Sequence, residues 1–212
     1  MPTDCVFCRE LNGSRKTNFA RLYPEIGSRI IAQTDEFVAF PCIGQLTKGH
    51  FLITPRQHIC TMAQSTLQRD SDFSKISALI LEVHNLLGFD PQESLYFEHG
   101  ALDEKNGGCG IYHAHLHVLP SSGFVDGKKF FGASKCFTTK TLEHSYSLAP
   151  TNKPYAVIGS AQHSYHCYEL DNALPSQFLR KNVATTLNIT NWDWRNSKRE
   201  PALLRILEEA QQ

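Results

Sequence analysis

The most reactive pattern in this sequence is a run of three histidines at alternate positions, His113-Ala-His-Leu-His117. A strand places every second side chain on one face, so these three imidazoles are expected to share a face. Imidazoles are poor core material because each ring has two nitrogens that need hydrogen-bond partners. The pattern therefore indicates a metal site or a nucleophilic imidazole aligned by its neighbours, in preference to a solvated strand that happens to carry histidines.

A second chemical pattern is the pair Cys5 and Cys8, whose two-residue gap is that of half a tetrahedral zinc site. A redox pair with this spacing would need a βαβ context, which the surrounding sequence does not show. Two unliganded surface thiols are the remaining alternative. The chain has 7 cysteines, an odd number that a closed set of disulfides cannot use.

The composition is that of a globular protein without an excess of either charge. The 212 residues include 21 basic and 21 acidic side chains, and 41% are hydrophobic, enough for a core. A net charge of zero argues against a protein that coats nucleic acid or an acidic membrane surface. No apolar run approaches the roughly 20 residues that span a bilayer, and no secretory signal is recognised. We therefore expect a cytoplasmic protein whose partners include no nucleic acid polymer and no membrane.

Hydrophobic periodicity predicts the elements that position these groups. Strands are expected within 29–40 and over 51–54, 95–97 and 112–119. The apolar positions of 66–87 recur at steps of three and four, which predicts an amphipathic helix capped by Gly88. Residues 121–153 are expected to be irregular. A hairpin of 155–158 with 165–168 and helices over 175–187 and 201–210 are expected to follow.

The order of these elements predicts an α+β fold, in which an antiparallel sheet packs on one long helix. We expect a first domain over 1–122. Residues 123–212 are expected to form a C-terminal extension, made of the hairpin and the helices and packed on that domain.

The segment His113-Ala-His-Leu-His-Val-Leu119 resembles the motif of the histidine triad (HIT) family, in which apolar residues separate three histidines and two more follow. Residues 47–58 are similar to the upstream strand of that family, and 97–100 with 107–113 are similar to its loop entering the triad. The resemblance covers 1–122. It implies a HIT-like fold and nucleotidyl transfer through a covalent phosphohistidine.

The resemblance also implies roles for individual residues. The middle histidine of the family attacks an α-phosphate, so His115 would be the nucleophile. His117 would hydrogen-bond the phosphate oxygens, and His50 would face the leaving group. Physical chemistry agrees, because neutral imidazole is a good nucleophile near pH 7 and developing phosphoryl charge needs positioned donors.

Some HIT proteins complete a Cys-x-x-Cys pair with two histidines. By position, the resemblance implies a zinc site made of Cys5, Cys8, His58 and His113, with His50 and His99 as the alternatives. Four protein ligands leave no position for water, so such a zinc would be structural.

Three positions depart from the common nucleoside-binding members of the family. Cys42 stands where an Asp usually holds the ribose hydroxyls, and Glu98 stands where Asn is common. The loop entering the triad reads Gly108-Cys109-Gly110. We expect Glu98 and this loop to contact the substrate.

The C-terminal segment Ser176-Gln-Phe-Leu-Arg-Lys181 resembles the tails of longer HIT-like proteins. Gln177, Arg180 or Lys181 would be within reach of the phosphates, since basic side chains are natural phosphate partners. A solvated helix face is the alternative.

The expected function is hydrolysis of a dinucleoside polyphosphate or a nucleotidyl phosphoramidate through a nucleotidyl-His115 intermediate. One alternative is transfer of the nucleotidyl group to phosphate or a sugar phosphate, as in a nucleotidyltransferase or phosphorylase. The other is a non-catalytic nucleotide-binding regulatory protein. The resemblance further implies a homodimer.

Overall fold

The computed structural model describes residues 5–67, 73–101 and 110–210 of the chain. The strands of the described part are β1 Ala32–Gln33, β2 Phe37–Pro41, β3 Phe51–Pro55, β4 Ser94–Gly100, β5 Leu116–Pro120, β6 Cys136–Thr139, β7 Tyr155–Ser160 and β8 Tyr165–Glu169. The helices are α1 Val6–Leu11, α2 Asn18–Leu22, α3 Met62–Leu67, α4 Ser74–Leu87, α5 Lys128–Phe131, α6 Leu142–Ser147, α7 Phe178–Thr186 and α8 Pro201–Glu209. No helix in these ranges is long and apolar enough to cross a membrane.

These strands form one sheet in the order β1-β2-β3-β5-β4-β7-β8-β6. Every neighbouring pair is antiparallel. The α+β class with an antiparallel sheet on a long helix is therefore confirmed. The segment after residue 122 adds three strands to this sheet, because β7 pairs with β4 from Leu95↔Ser160 to Gly100↔Tyr155.

Helix α4 covers one face of the sheet with the apolar stripe seen in the sequence. Ile76, Leu79 and Val83 are fully buried and pack in one core with the strands. Gly88 ends the helix in the left-handed conformation (φ 68°), as predicted. The helix begins at Ser74, however, because the predicted start at Thr66 falls in the separate helix α3.

Strand β5 begins at Leu116, four residues later than predicted. The pairing of β5 with β3 ends at Ile53↔Leu116, and β3 itself ends at Pro55, which has no N–H to donate to a ladder. Local bonds hold the preceding residues instead: Thr54 Oγ1 donates to the Ala114 carbonyl oxygen at 2.6 Å, and Ala114 N–H donates to Ile59 O at 2.7 Å.

The predicted hairpin is confirmed as β7 and β8. The expectation of an irregular segment over 121–153 is wrong, because it contains α5, β6 and α6. Thr141 caps α6 by accepting a hydrogen bond from His144 N–H (3.2 Å). Strand β6 pairs with β8 over four residues at the edge of the sheet.

Successive side chains of β4 point to opposite faces of the sheet and pack in two different cores. Tyr96 belongs to the core under α4, whereas Leu95 and Phe97 belong to a second core that contains Leu179 and Val183 of α7. The second face is the one that carries the candidate site.

Candidate active site

A cavity opens on the face of the sheet opposite α4. Three neighbouring strands contribute Leu52, His117 and Phe97 to it, and these residues pair in register. Helix α1 and helix α7 form walls, and Trp194 contributes a further side. The cavity is therefore built from both the N-terminal and the C-terminal parts of the chain.

His115 lies in this cavity with one ring nitrogen held by its own backbone. Its Nδ1 is 2.7 Å from the His113 carbonyl oxygen. A carbonyl only accepts, so Nδ1 carries the proton and Nε2 keeps its lone pair. Burial lowers the pKa of His115, which favours the neutral ring. The Phe7 ring packs edge-on against it at 5.5 Å. His115 is thus an uncharged imidazole, held through Nδ1, whose Nε2 keeps its lone pair.

His117 and His50 form a short relay that begins at a backbone amide. Leu46 N–H donates to His50 Nδ1 at 3.3 Å, and His50 Nε2 lies 2.9 Å from His117 Nδ1. Because His50 Nδ1 accepts, His50 Nε2 carries the proton and donates it to His117 Nδ1, and His117 keeps its own proton on Nε2. Burial lowers the pKa of both rings. His117 therefore offers a hydrogen-bond donor to the cavity.

The ring of His117 is also fixed by stacking. Phe97 lies parallel to it, with ring centroids 4.3 Å apart and an interplanar angle of 9°. His50 is fully buried and is not among the cavity-lining residues. Its ring nitrogens bond His117 and the Leu46 amide, so the expectation that His50 faces the leaving group finds no support in its position.

A separate cluster lies where the N-terminus meets the triad segment. The ligand atoms of Cys5, Cys8, His58 and His113 all lie within 4.8 Å of one another. His113 Nδ1 is 3.4 Å from Cys5 Sγ and 3.5 Å from Cys8 Sγ, and Cys8 Sγ is 3.4 Å from His58 Nδ1. Usual Zn–S and Zn–N bonds in a tetrahedron place sulfur and nitrogen about 3.6 Å apart. The donor set and its spacing fit a tetrahedral cation.

Neighbouring groups determine the tautomer of His113 and the pKa of Cys8 in this cluster. His113 Nε2 donates to the Pro55 carbonyl oxygen at 2.7 Å, which leaves Nδ1 as the ligand atom. Burial raises the pKa of the Cys8 thiol to about 12. A bound cation is therefore what would keep that sulfur ionised.

A profile of the HIT domain matches residues 23–123. The chain therefore contains a HIT domain, which covers 101 of its 212 residues. The "Protein hit" of Bacillus subtilis strain 168 is 25% identical over 134 residues, which cover 61% of this chain and 77% of that protein. The adenosine 5′-monophosphoramidase HINT3 of Xenopus tropicalis is 27% identical over 127 residues, 57% of this chain and 72% of that protein. A solved HIT family structure from Bacillus subtilis is 25% identical, covers 70% of this chain and 89% of that chain, and has a TM-score of 0.40.

The HIT domain ends before α7, yet α7 contributes to the cavity. Gln177 starts this helix in the left-handed conformation (φ 63°), which is strained for a residue other than glycine. Its Nε2 donates to Asp193 Oδ1 at 2.7 Å, and its Oε1 accepts from Trp194 N–H at 3.2 Å. The amide of Gln177 thus holds the loop that carries Trp194, although the residue also lines the cavity.

Arg180 reaches from α7 to the loop after β2. Its guanidinium donates to Gly44 O, to Trp192 O and, at 3.4 Å, to Cys42 Sγ. Cys42 Sγ, His50 and His117 form a second group with ligand atoms within 4.8 Å, but the adjacent guanidinium disfavours another cation there.

Glu98 lies on the other face of the HIT sheet. Its carboxylate accepts hydrogen bonds from Met62 N–H (2.7 Å) and from the Tyr155 hydroxyl (2.8 Å). Burial raises its pKa to about 7. Strand alternation points Phe97 and His99 toward the cavity and Glu98 away from it. The expectation that Glu98 contacts substrate therefore finds no support in its position.

The loop entering the triad is described only in part. Gly108 and Cys109 lie outside the described residues. Gly110 has a φ of 84°, and a Cβ atom there would meet Ser176 Oγ at 2.7 Å. The glycine permits a close approach of this loop to the start of α7, and the next residue, Ile111, lines the cavity.

The polar side chains of the cavity that were not recognised from the sequence include Arg29, Glu10 and His99. Arg29 Nε donates to Glu10 Oε1 at 2.5 Å, and its guanidinium lies 4.2 Å from the centroid of the Phe40 ring. The two residues are distant in sequence and share no periodic pattern, so nothing marks them as a pair.

His99 was predicted only as an alternative ligand of the cation. It lines the cavity, and its Nε2 is buried with no hydrogen-bond partner among the described residues. Alternation with Phe97 is the signal that would have placed it.

Proposed function

We propose that this HIT protein is a nucleotidyl hydrolase that cleaves a phosphoanhydride, such as that of a dinucleoside polyphosphate, or a nucleotidyl phosphoramidate. The observation that carries the proposal is the bond from His115 Nδ1 to the His113 carbonyl, because it leaves Nε2 unprotonated in a cavity. The adenosine monophosphoramidase activity named for the Xenopus relative supports the same class of chemistry.

The proposed reaction has two steps. His115 Nε2 attacks the α-phosphorus, a P–N bond forms, and the bond from phosphorus to the leaving group breaks. His117 Nε2–H donates to a phosphoryl oxygen and stabilises the charge that develops there. Water then attacks phosphorus and releases one proton to solvent, the P–N bond breaks, and a nucleoside monophosphate leaves with the neutral ring restored. His50 acts as a positioning residue for His117.

We also propose that the cluster of Cys5, Cys8, His58 and His113 binds structural zinc. His113 is both a ligand in that cluster and the residue whose carbonyl orients His115. The metal would thereby fix the N-terminus against the nucleophile, without touching substrate.

We also propose that the protein is cytoplasmic and forms a homodimer. A homodimer that extends the sheet would pair through β1 or β6, the two end strands of the described sheet. These strands have two and four residues, so the added ladder would be short. Light scattering on the purified chain measures the oligomeric state.

A rapid-quench experiment tests the catalytic proposal. Wild type and His115→Asn are mixed with a dinucleoside polyphosphate labelled at the α-phosphate. We expect acid-labile, base-stable label on the wild-type protein and none on the variant. Formation of nucleoside diphosphate only when phosphate is added would favour the phosphorylase alternative. Tight binding with no label and no product would favour the regulatory alternative and overturn the proposal.

A further inference from the structure

Arg180 is a cation buried in the wall of the cavity. It is 4% exposed, and it lines the cavity together with His115 and His117. Its three observed acceptors are two carbonyl oxygens and the Cys42 sulfur, on which burial raises the pKa, so that the thiol stays neutral. None of these acceptors balances the positive charge.

No carboxylate pairs with this guanidinium in the part of the chain that the structure describes. The two acidic residues on the adjoining loops have other partners. Asp193 accepts from Gln177, and Glu200 accepts from the backbone amides of Gly44 and Gln45 at 2.7 and 3.1 Å. The hydrogen bond from Gln177 and, at longer range, the guanidinium of Arg180 lower the pKa of Asp193, so this carboxylate offsets part of the charge from a distance. The guanidinium has no anion in direct contact among the described residues, and a bound anion would supply that partner.

The guanidinium also retains donors for such a partner. Arginine has five N–H groups in a planar fork, and the observed contacts use one on each of its three nitrogens. One N–H on each terminal nitrogen remains, which suits two oxygens of a phosphate. Arg180 Nη1 is 3.4 Å from Cys42 Sγ, and that sulfur is within 4.8 Å of the ring nitrogens of His50 and His117. The guanidinium therefore lies close to His117, the residue proposed to donate to the attacked phosphate.

We propose that Arg180 binds a second phosphate group of the substrate, distinct from the phosphate attacked by His115. The assignment rests on the proposed function, because it takes His115 as the site of the first phosphate. The second phosphate is either the next one in an anhydride or one on the ribose. Arg180 is thereby the residue that selects substrates with two phosphates over those with one.

A purely structural role for Arg180 makes a different prediction. Arg180 and Glu200 hold the same loop, the first through the Gly44 carbonyl and the second through the Gly44 and Gln45 amides. Glu200 is not among the cavity-lining residues. If Arg180 only fixes the loop, then Arg180→Gln and Glu200→Gln change ligand binding in the same way.

Calorimetric titration separates the two roles. The probes are AMP, ADP and adenosine 3′,5′-bisphosphate, with the guanosine series in parallel, and the proteins are wild type, Arg180→Gln, Arg180→Lys and Glu200→Gln. We expect wild type to bind ADP or the 3′,5′-bisphosphate at least about tenfold more tightly than the monophosphate. We expect this preference for the ligand with two phosphates to be lost in Arg180→Gln, partly kept in Arg180→Lys and fully kept in Glu200→Gln. Preference for ADP places the second phosphate in the anhydride, and preference for the bisphosphate places it on the ribose.

Equal affinity of wild type for mono- and bisphosphates, no binding of any probe, or an equal loss in Arg180→Gln and Glu200→Gln would overturn the assignment. Equilibrium binding needs no covalent step, so this result is independent of the labelling of His115. Label on His115 without a bisphosphate preference would leave the proposed function standing and remove the role of Arg180. A bisphosphate preference without label on His115 would support the anion site at Arg180 and remove the proposed nucleotidyl transfer.

Discussion

His50 Nε2 lies 2.9 Å from His117 Nδ1, and this contact joins a fully buried ring to a ring that lines the cavity. The bond continues a line of donors that starts at the Leu46 amide. One backbone N–H thus determines which nitrogen of His117 presents a proton to the cavity. The tautomer of the donor is set by the loop before β3 and not by pH.

Replacement of His50 tests this relay. His50→Phe keeps a ring of similar size but removes both hydrogen bonds, so His117 loses its fixed tautomer. We expect kcat to fall by about 10- to 100-fold while KM changes by less than about threefold, since substrate contacts are retained. His84→Phe is the matched control, because His84 is equally buried and bonds only Ser94 Oγ (2.6 Å) and the Ile80 carbonyl. That control should lose stability but not kcat. An unchanged kcat in His50→Phe would contradict the relay.

Single-turnover kinetics test the protonation of the nucleophile. Burial lowers the pKa of His115 from its ordinary value of 6.5, so the ring loses its reactive lone pair only at lower pH. We expect the rate of His115 labelling to stay constant as pH falls from 8 through 6.5 and to decrease only below that value. A decrease already centred above pH 6.5 would show that His115 is not desolvated in solution.

Metal analysis tests the cluster near the N-terminus. We expect about one zinc per chain in fresh protein, and less than about 0.2 would exclude the site. Cys8→Ser should lose the metal and lower Tm by more than about 5 °C, because ligand binding contributes to folding. Cys136→Ser is the control, since Cys136 lies in β6 outside the cluster. It should retain zinc and Tm.

The buried carboxyl of Glu98 predicts a pH-dependent stability. Its pKa is raised from 4.5 to about 7 by burial, so the unfolded chain ionises first and stability is lost as pH rises through this interval. Glu98→Gln removes the effect. We expect wild type to lose up to about 3 kcal/mol relative to the variant between pH 4.5 and 7.5, as measured by urea denaturation. Parallel stability curves for the two proteins would refute a buried, neutral Glu98.

Some structural features of this protein can be predicted from its sequence and others cannot. The stripe on α4 is a local pattern, and local patterns predict helices and shared faces. The alternating histidines correctly predict that His115 and His117 lie close together, although of these two only His117 belongs to strand β5. Glu98 was assigned to the substrate by resemblance, whereas alternation with Phe97 and His99 places it on the opposite face of β4. Arg29 and Glu10 meet only through tertiary packing. The cavity contact of Arg180 likewise depends on how α7 docks, which the pattern of that helix leaves open.

The pairing of β7 with β4 has a consequence for how this chain can be divided. Six residue pairs join the HIT domain to the segment that follows it. A fragment ending at residue 122 would expose the backbone donors and acceptors of β4 as a long open edge, which favours association with other chains. We expect that fragment to be recovered as an aggregate, and recovery of a soluble, folded fragment would contradict this. A gene encoding this protein therefore tolerates shortening at its 3′ end poorly, although the whole histidine motif is encoded upstream.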